Sequence, residues 1–342
     1  MNFIEQALLK SPKIKSAIKA ALEKRLPMQL TALAESEKIF FSNLLSEKTL
    51  KKPVYIVTDE RQAGLLYDKL LNFYDQKEIL TFYDRDFIFR QIETSSTNQE
   101  SKRLMTLFRL CEKDFSAAII TAPALAQAII PKEEFLKNRL EIKTGDQLDP
   151  KELCAFLQKA GYERYDLTEG VGQFSQRGSI VDFYPPNLPN PIRVDFFGDE
   201  IDSIASFDMF SQRRMDSIKK INITIAKEVL PGKEAINSII KFLKKSESDI
   251  SKSEIEKLEN NIIFSHIDKY LPLIYKTTKT ILDYLSDDFL LFAYDMGNIK
   301  KIISGYIWRT NEDILTLSEQ GVKFLKEGYV QKEEVIYKQL CE

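Results

Sequence analysis

The most informative stretch of the sequence covers residues 177–207, which read RGSIVDFYPPNLPNPIRVDFFGDEIDSIASF. Residues 177–184 predict a strand, which ends at a proline-rich loop that cannot donate ladder hydrogen bonds at its prolines. Residues 192–197 predict a second strand, because apolar and polar residues alternate up to position 196. Gly198-Asp199 fits a two-residue hairpin, and the remainder of the stretch returns as a third strand. The pattern predicts an antiparallel meander.

The alternation also predicts which side chains of the second strand point away from the core. Successive side chains in a strand point to opposite faces, so the apolar residues at 192, 194 and 196 share the core face. Arg193, Asp195 and Phe197 then share the outward face. A phenylalanine beside an arginine on an outward sheet face is typical of the centre of a protein–protein interface. The sequence therefore predicts a docking surface here.

The first third of the chain alternates short apolar runs with segments of helical spacing. Predicted strands cover 53–59, 80–83 and 117–121, and predicted helices cover 63–74, 98–110 and 124–130. Strands that alternate with helices in this way are typical of βαβ units and a mostly parallel sheet. Residues 1–50 are predicted to be helical. The first third is therefore expected to be an α/β layer.

The character of the sequence changes near residue 135. Residues 135–144 predict a strand, and Pro150–Lys159 predicts a helix, because proline suits the first helical position behind an aspartate cap. Together with the meander, these elements indicate a small α+β domain over residues 136–230. The last third, residues 231–342, is predicted to be largely helical at its end, over 312–340.

Composition excludes several classes of protein. The chain has 342 residues, enough for two or three domains. Its 49 Lys and Arg against 51 Asp and Glu give no overall field that would favour nucleic acid. Three distant cysteines and a single histidine, His266, provide neither a disulfide framework nor a histidine-rich metal site. No apolar run reaches the ~18–20 residues that span a bilayer, and no signal peptide is evident, so a cytoplasmic location without membrane contact is expected.

The sequence shows no pattern typical of a catalytic set, a cofactor site or a metal site. None of the twelve glycines opens a phosphate-binding GxxxxGK[ST] loop, and Gly232-Lys233 is followed by Glu234, which would repel phosphate. His266 is interpreted as a partly buried structural residue. Two alternatives to a docking module stay open: a DNA-binding module that uses the basic N-terminal helix and the lysine-rich residues 241–253, and a nucleotide-dependent enzyme with cryptic activity.

Two segments around the meander resemble a known family. Residues 177–186 and 193–204 are similar to the N-terminal, UvrB-like module of the bacterial transcription-repair coupling factors (Mfd), and FDMFSQRR at 207–214 matches the same module. Residues 160–164 and 172–178 also resemble it. Weaker support comes from Thr94-Ser95-Ser96 and from Glu100-Ser101-Lys102-Arg103-Leu104.

The resemblance implies a degenerate, P-loop-less helicase-like α/β domain, with its two parts at 1–135 and 231–342. The inserted α+β domain, 136–230, would dock UvrA, the damage-recognition subunit of nucleotide excision repair. UvrB itself carries a Walker A motif and an aromatic-rich DNA-clamping hairpin, and this sequence has neither, so the coupling factors are the closer match. A UvrB-like excision-repair subunit is the alternative. RNA polymerase and double-stranded DNA would be bound only by further C-terminal domains of an ATP-dependent translocase. The chain is therefore expected to be an N-terminal fragment without catalytic activity.

The resemblance also implies that Arg177, Arg193 and Phe197 bind UvrA. Three acidic residues of the same meander complete the predicted UvrA-binding set: Asp195, Asp199 and Glu200. If residues 177–184 form one strand, Arg177 shares the apolar face with Val181 and Phe183, so a bulge at Gly178 is expected to redirect it. In a second interpretation, both arginines pair with acidic residues of the meander itself, at positions 195, 199 or 200.

Overall fold

The computed structural model describes residues 9–23, 25–31, 33–85, 97–245, 248–260 and 262–341. Thr94, Ser95 and Ser96, which support the family resemblance, lie outside the described residues, as do the first eight residues of the predicted N-terminal helix.

The strands of the described residues are, in chain order, β1 (Lys52–Val57), β2 (Ile79–Phe82), β3 (Ala117–Thr121), β4 (Leu140–Lys143), β5 (Glu163–Arg164), β6 (Gln173–Arg177), β7 (Ile180–Phe183), β8 (Ile192–Phe197), β9 (Glu200–Phe207), β10 (Arg214–Ile218), β11 (Lys220–Ile223) and β12 (Phe289–Ala293). The α-helices are α1 (Pro12–Leu22), α2 (Glu35–Thr49), α3 (Glu60–Leu70), α4 (Thr97–Glu112), α5 (Ala122–Ala126), α6 (Lys132–Lys137), α7 (Pro150–Lys159), α8 (Lys233–Leu243), α9 (Asp249–Glu259), α10 (Leu271–Tyr275), α11 (Met296–Glu319) and α12 (Glu333–Cys341). Short 3-10 helices cover Gln76–Glu78, Ile267–Tyr270 and Ile281–Tyr284.

A parallel sheet with the strand order β12-β1-β3-β2 forms the first layer. All five residues of β3 are buried, as expected for a parallel strand covered on both faces. Helix α3 buries Ala63, Leu66 and Leu70. The predicted α/β layer is confirmed. Its fourth strand, β12, comes from the last third of the chain, so the two ends of the sequence build one sheet.

The antiparallel strands form two further sheets. Strands β10-β9-β8-β7-β6-β5 form a six-stranded sheet, which is antiparallel except for the β5–β6 pair, and β11 pairs with β4. Helix α7 packs against the six-stranded sheet and buries Leu153 and Leu157. It begins at Pro150 as predicted, where the Asp149 side chain accepts a hydrogen bond from the Lys151 amide at 2.7 Å.

Three predictions of secondary structure are corrected. The predicted N-terminal helix is divided, because α1 ends at Leu22 and α2 begins at Glu35; Pro27 between them has no amide donor for a helix. The predicted strand over 135–144 is helical at its start, where acidic residues in the first turn of α6 favour the helix. The predicted helix over 312–340 is interrupted between α11 and α12.

A buried ion pair joins the end of the antiparallel region to α4. Arg103 donates from Nε and Nη2 to the two carboxylate oxygens of Glu228, at 2.9 and 3.1 Å. The Glu228 amide donates to Glu100 Oε1 at 2.8 Å. Burial alone would raise the pKa of Glu228, but the charges of Arg103 and Arg85 outweigh it and hold the pKa below its usual value. Glu228 is therefore a charged anchor inside the protein.

Candidate protein-interaction surface

Arg177 reaches the outward face of the six-stranded sheet through a hairpin. Strand β6 ends at Arg177, strand β7 begins at Ile180, and these two residues pair across a two-residue turn. Gly178 takes the first turn position with φ of +61°, which glycine adopts readily. The predicted single strand over 177–184 and the predicted bulge at Gly178 are therefore wrong. Because of this turn, Arg177 lies on the outward face with Asp195 and not on the apolar face with Val181 and Phe183.

The register of β6, β7 and β8 brings four charged residues onto one face of the sheet. Arg177 lies opposite Ile180, Ile180 opposite Asp195, and Asp182 opposite Arg193. Residues directly opposite each other in an antiparallel pair project to the same side of the sheet. This pairing brings together Arg177, Asp182, Arg193 and Asp195. The alternation within each strand could not predict this, because it does not specify which residues of neighbouring strands lie opposite each other.

Asp182 is the centre of this group. Arg193 donates from Nε to Oδ1 at 2.7 Å and from Nη2 to Oδ2 at 2.8 Å, and Arg177 donates from Nη2 to Oδ2 at 2.8 Å. The Asp182 residue is only 1% exposed. Two guanidinium groups therefore enclose one carboxylate, and the group of three keeps a net positive charge.

The two arginines differ in exposure. The Arg193 side chain is 12% exposed, and its guanidinium lies 4.7 Å from the ring centroid of Phe207. Its Nη1 donates to the Gln212 carbonyl at 3.1 Å. The hydrogen bond to Asp182 raises the pKa of Arg193. The Arg177 side chain, by contrast, is 46% exposed and is open to a partner.

Asp195 belongs to a second charged pair beside the first. It accepts a hydrogen bond from Ser203 Oγ at 3.0 Å and forms an ion pair with Arg214. Arg214 also donates from Nη1 to Ser203 Oγ at 3.2 Å, and its side chain is 45% exposed. Asp195 is therefore held by the neighbouring strands of its own sheet.

The hairpin between β8 and β9 presents Phe197, which is 83% exposed. Gly198 closes the turn with φ of +64°, and Asp199 and Glu200 are also exposed. The tip is anchored from behind, since the Leu148 amide donates to the Asp199 carbonyl at 2.7 Å and Gln147 Nε2 to Glu200 Oε2 at 3.3 Å. An apolar ring is thus held in solvent on a fixed turn.

The interpretation in which both arginines pair with acidic residues of the meander is correct, but it named the wrong acidic residues. Both arginines pair with Asp182, whereas positions 195, 199 and 200 were the expected acids. An acid between the apolar residues Val181 and Phe183 was a signal for such a pair, but its partner depends on the register across the hairpin. Arg214 and Gln212 were missed for the same reason.

The described residues also bear on metal sites, on the single histidine and on membrane spans. Within the described ranges, no group of three or more His, Cys, Asp or Glu side chains is arranged to hold a metal ion. His266 is buried, more deeply than the partly buried position that was predicted, and its Nε2 lies 3.2 Å from Glu254 Oε1. Among the described helices, none is both long enough and apolar enough to cross a bilayer.

Comparison with known proteins identifies the region that carries this surface. Residues 140–228 match the family model of the UvrB interaction domain. The transcription-repair-coupling factor of Bacillus subtilis strain 168 is 28% identical over 338 residues, which covers 94% of this chain. Over most of its length, the chain is similar to one part of the transcription-repair-coupling factors. The factors of Staphylococcus aureus strain MRSA252 and Staphylococcus haemolyticus are each 26% identical over 89% and 88% of the chain.

The relatives are much longer than this chain. The aligned region spans 29% of the Bacillus subtilis protein and 27% of each of the two staphylococcal proteins. The match of the UvrB interaction domain includes β4 to β11, and hence the hairpin, the Asp182 group and Phe197.

Proposed function

We propose that this chain is a protein–protein docking module that binds UvrA through the outward face of the six-stranded sheet. In this proposal, the module recruits UvrA to stalled RNA polymerase, while contacts with RNA polymerase and double-stranded DNA belong to other parts of the longer relatives. The single observation that carries the proposal is the 83% exposed ring of Phe197 on the same face of the sheet as the arginines that Asp182 holds. The family model of the matched region, named for an interaction domain, supports it.

The chemistry of this face indicates the kind of surface it fits. An aromatic side chain that is desolvated on binding is a frequent source of binding energy, especially next to arginine. The guanidinium fork binds carboxylates with two parallel hydrogen bonds. Arg177, half-exposed, and Phe197 would therefore meet a partner surface with an apolar pocket and acidic groups at its rim. Asp199 and Glu200 at the hairpin tip would meet basic or polar groups.

We further propose the domain boundaries 1–135, 136–230 and 231–342. In this division, a degenerate helicase-like α/β domain is interrupted by the UvrA-interaction domain. The parallel pairing of β12 with β1 supports the division, because it joins the first and last segments in one sheet. All strands of the antiparallel sheets come from the segment between them.

The junction between β1 and α3 supports a module without nucleotide hydrolysis. In nucleotide-binding folds, backbone amides at a helix start cradle the phosphates. Here Asp59 follows β1 closely, and its Oδ1 accepts a hydrogen bond from the Gln62 amide at 2.9 Å. Glu60 adds a second negative charge in the first turn. The helix terminus is therefore occupied by the chain's own carboxylate and would repel a phosphate.

The DNA-binding alternative is weakened by ion pairs. Lys244 Nζ lies 3.3 Å from Glu259, and Lys252 Nζ lies 3.1 Å from Asp249. In α1, Lys19 Nζ lies 3.8 Å from Glu23. Acidic neighbours at these distances offset the charge that a DNA phosphate would need.

The proposed function is tested by calorimetric titration of UvrA with the chain and with three variants. We expect Phe197→Ala and Arg177→Ala each to weaken binding at least tenfold, about 1.4 kcal/mol. Trp308→Ala is the matched control, because it removes another exposed aromatic ring, 62% exposed and located on α11. Equal affinity of wild type and Phe197→Ala would move the site elsewhere, and a wild-type chain that does not bind UvrA would overturn the proposal.

A further inference from the structure

We propose that Phe210, in the turn between β9 and β10, is a second aromatic contact of the docking surface, and that Asp182 positions this turn through Arg193. The proposal rests on the proposed function and adds contact and positioning residues for the same partner. The turn is defined here as residues 208–213 and is called the β9–β10 turn.

The β9–β10 turn is held by its own hydrogen bonds. The amide and hydroxyl of Ser211 both donate to Asp208 Oδ1 at 2.7 Å, and the Gln212 amide donates to the Asp208 carbonyl at 2.8 Å. The Asp208 amide donates to the Arg213 carbonyl at 2.9 Å. Gln212 takes the left-handed conformation, with φ of +59°, which reverses the chain. The turn is therefore preorganised.

Phe210 nevertheless points its ring into solvent. It is 89% exposed, more than Phe197, although burial of a phenylalanine ring is worth about 1.5–3 kcal/mol. Because the backbone of the turn that carries the ring is already ordered, a partner that covers the ring orders only its side chain, and this lowers the cost of binding. Arg213 and Arg214 follow in sequence and are exposed, so the β9–β10 turn carries positive charge, whereas the hairpin tip at Phe197 carries Asp199 and Glu200.

Arg193 connects the β9–β10 turn to the Asp182 group. Its Nη1 donates to the Gln212 carbonyl at 3.1 Å, and its Nη2 lies 3.3 Å from Gln212 Oε1. The same guanidinium holds Asp182 with Nε and Nη2. Because most of its donors are used inside the protein and its side chain is 12% exposed, Arg193 serves the surface mainly by fixing the turn.

The two aromatic rings define the extent of one continuous surface. Phe197 stands at one end of the β8–β9 pair and the β9–β10 turn at the other. Strand β9 has eight residues, which at about 3.3 Å per residue place the two ends roughly 23 Å apart. A standard interface of about 800 Å² per partner is roughly 30 Å across, so one partner can cover both rings. Half-exposed Arg177 lies at the Phe197 end of the sheet, and Arg213 and Arg214 lie at the other end, so acidic groups of one partner would meet an arginine at each end.

The contact role is tested by titrating UvrA with Phe210→Ser, Phe197→Ser and Leu315→Ser, the last being an exposed residue of α11 that serves as the control. We expect Phe210→Ser to weaken binding at least tenfold with an unchanged melting temperature, and Leu315→Ser to bind as wild type. Wild-type affinity in Phe210→Ser together with loss in Phe197→Ser would overturn this inference alone. Absence of wild-type binding would overturn the proposed function as well.

The positioning role is tested by hydrogen exchange at the Ser211 and Gln212 amides. We expect faster exchange in Asp182→Asn and in Arg193→Lys, which keeps the charge and loses the planar fork, and unchanged exchange in Phe210→Ser. Arg193→Lys keeps the test decisive if Asp182→Asn fails to fold. Wild-type protection of both amides in Arg193→Lys would overturn the positioning role.

Discussion

Arg193 and Asp182 face each other across β7 and β8 in a bidentate pair, with 2.7 Å from Nε to Oδ1 and 2.8 Å from Nη2 to Oδ2. The pair lies on the outward face of the sheet, yet the carboxylate is buried beneath the two arginines. A side chain on the outward face of a strand can thus still be buried by its neighbours on that face. For this reason, loss of Arg193 would alter both the electrostatics and the geometry of the surface.

Removal of Asp182 is expected to destabilise the chain strongly. Asp182→Ala leaves the poorly exposed Arg193 guanidinium without its carboxylate, and breaking such a pair from one side costs about 3–5 kcal/mol. Asp202→Ala, an exposed aspartate on β9, is the matched control and should change stability by less than about 0.5 kcal/mol. Urea denaturation measures both. Equal midpoints for the two variants would contradict the central role of Asp182.

The strands were predictable where local pattern alone determines them. Strand β8 was predicted over 192–197 as it is observed, because strict alternation and a Gly-Asp hairpin fix both its faces and its end. Strand β3 was predicted with its observed bounds from a continuous apolar run. In both elements, neighbouring residues carry all the information that the prediction needs.

The arrangement of the site was not predictable in the same way. The outward position of Arg177 depends on a turn at Gly178-Ser179 that can also be read as the continuation of a strand. The pairing of Asp182 with Arg193 depends on register across a proline-rich loop, and the contact of Arg193 with Gln212 on a further turn. Each step is set by tertiary pairing, which a single sequence does not specify.

The hairpin at Gly178 is expected to be sensitive to a side chain. Gly178 has φ of +61° and open space where a Cβ would stand, so Gly178→Val would be destabilised by backbone strain alone, by about 1–2 kcal/mol. Gly64→Ala is the opposite control, because Gly64 lies in helix α3 with equally open space, and alanine there should stabilise by about 0.5–1 kcal/mol. Thermal unfolding measures both the destabilisation expected for Gly178→Val and the stabilisation expected for Gly64→Ala. A neutral Gly178→Val would contradict the turn assignment.

Nucleotide is expected to leave stability unchanged. The Asp59 carboxylate already accepts the hydrogen bond of the Gln62 amide at the start of α3. The negative charge of Glu60 in the first turn would also repel a phosphate. A ligand that binds the folded state raises the melting temperature by an amount that grows with the logarithm of its excess over Kd, so ATP with Mg²⁺ in the millimolar range is a sensitive probe. We expect no shift by differential scanning fluorimetry. A melting temperature that rises with ATP concentration, and that adenosine alone does not raise, would contradict the proposal that this helix terminus does not bind a nucleotide.

The buried carboxylate of Glu254 is expected to make stability sensitive to acid. Burial would raise its pKa, but hydrogen bonds from His266, Lys269 and Tyr270 and the charge of Lys269 outweigh this and hold the pKa below the usual 4.5. A depressed carboxylate pKa contributes stability that is present above the unfolded value, and this stability is lost as pH falls through the folded pKa.

Glu254→Gln should therefore unfold at a lower temperature than wild type at pH 7, and the difference should shrink as pH falls below about 4.5. Glu228 has a lowered pKa for similar reasons, so some acid sensitivity should persist in the variant. Glu256→Gln, an exposed position of the same helix, is the control and should follow the wild-type curve. Melting temperatures measured from pH 7 to pH 3 decide the matter: a constant difference between Glu254→Gln and wild type would show that Glu254 acts through packing rather than through its charge.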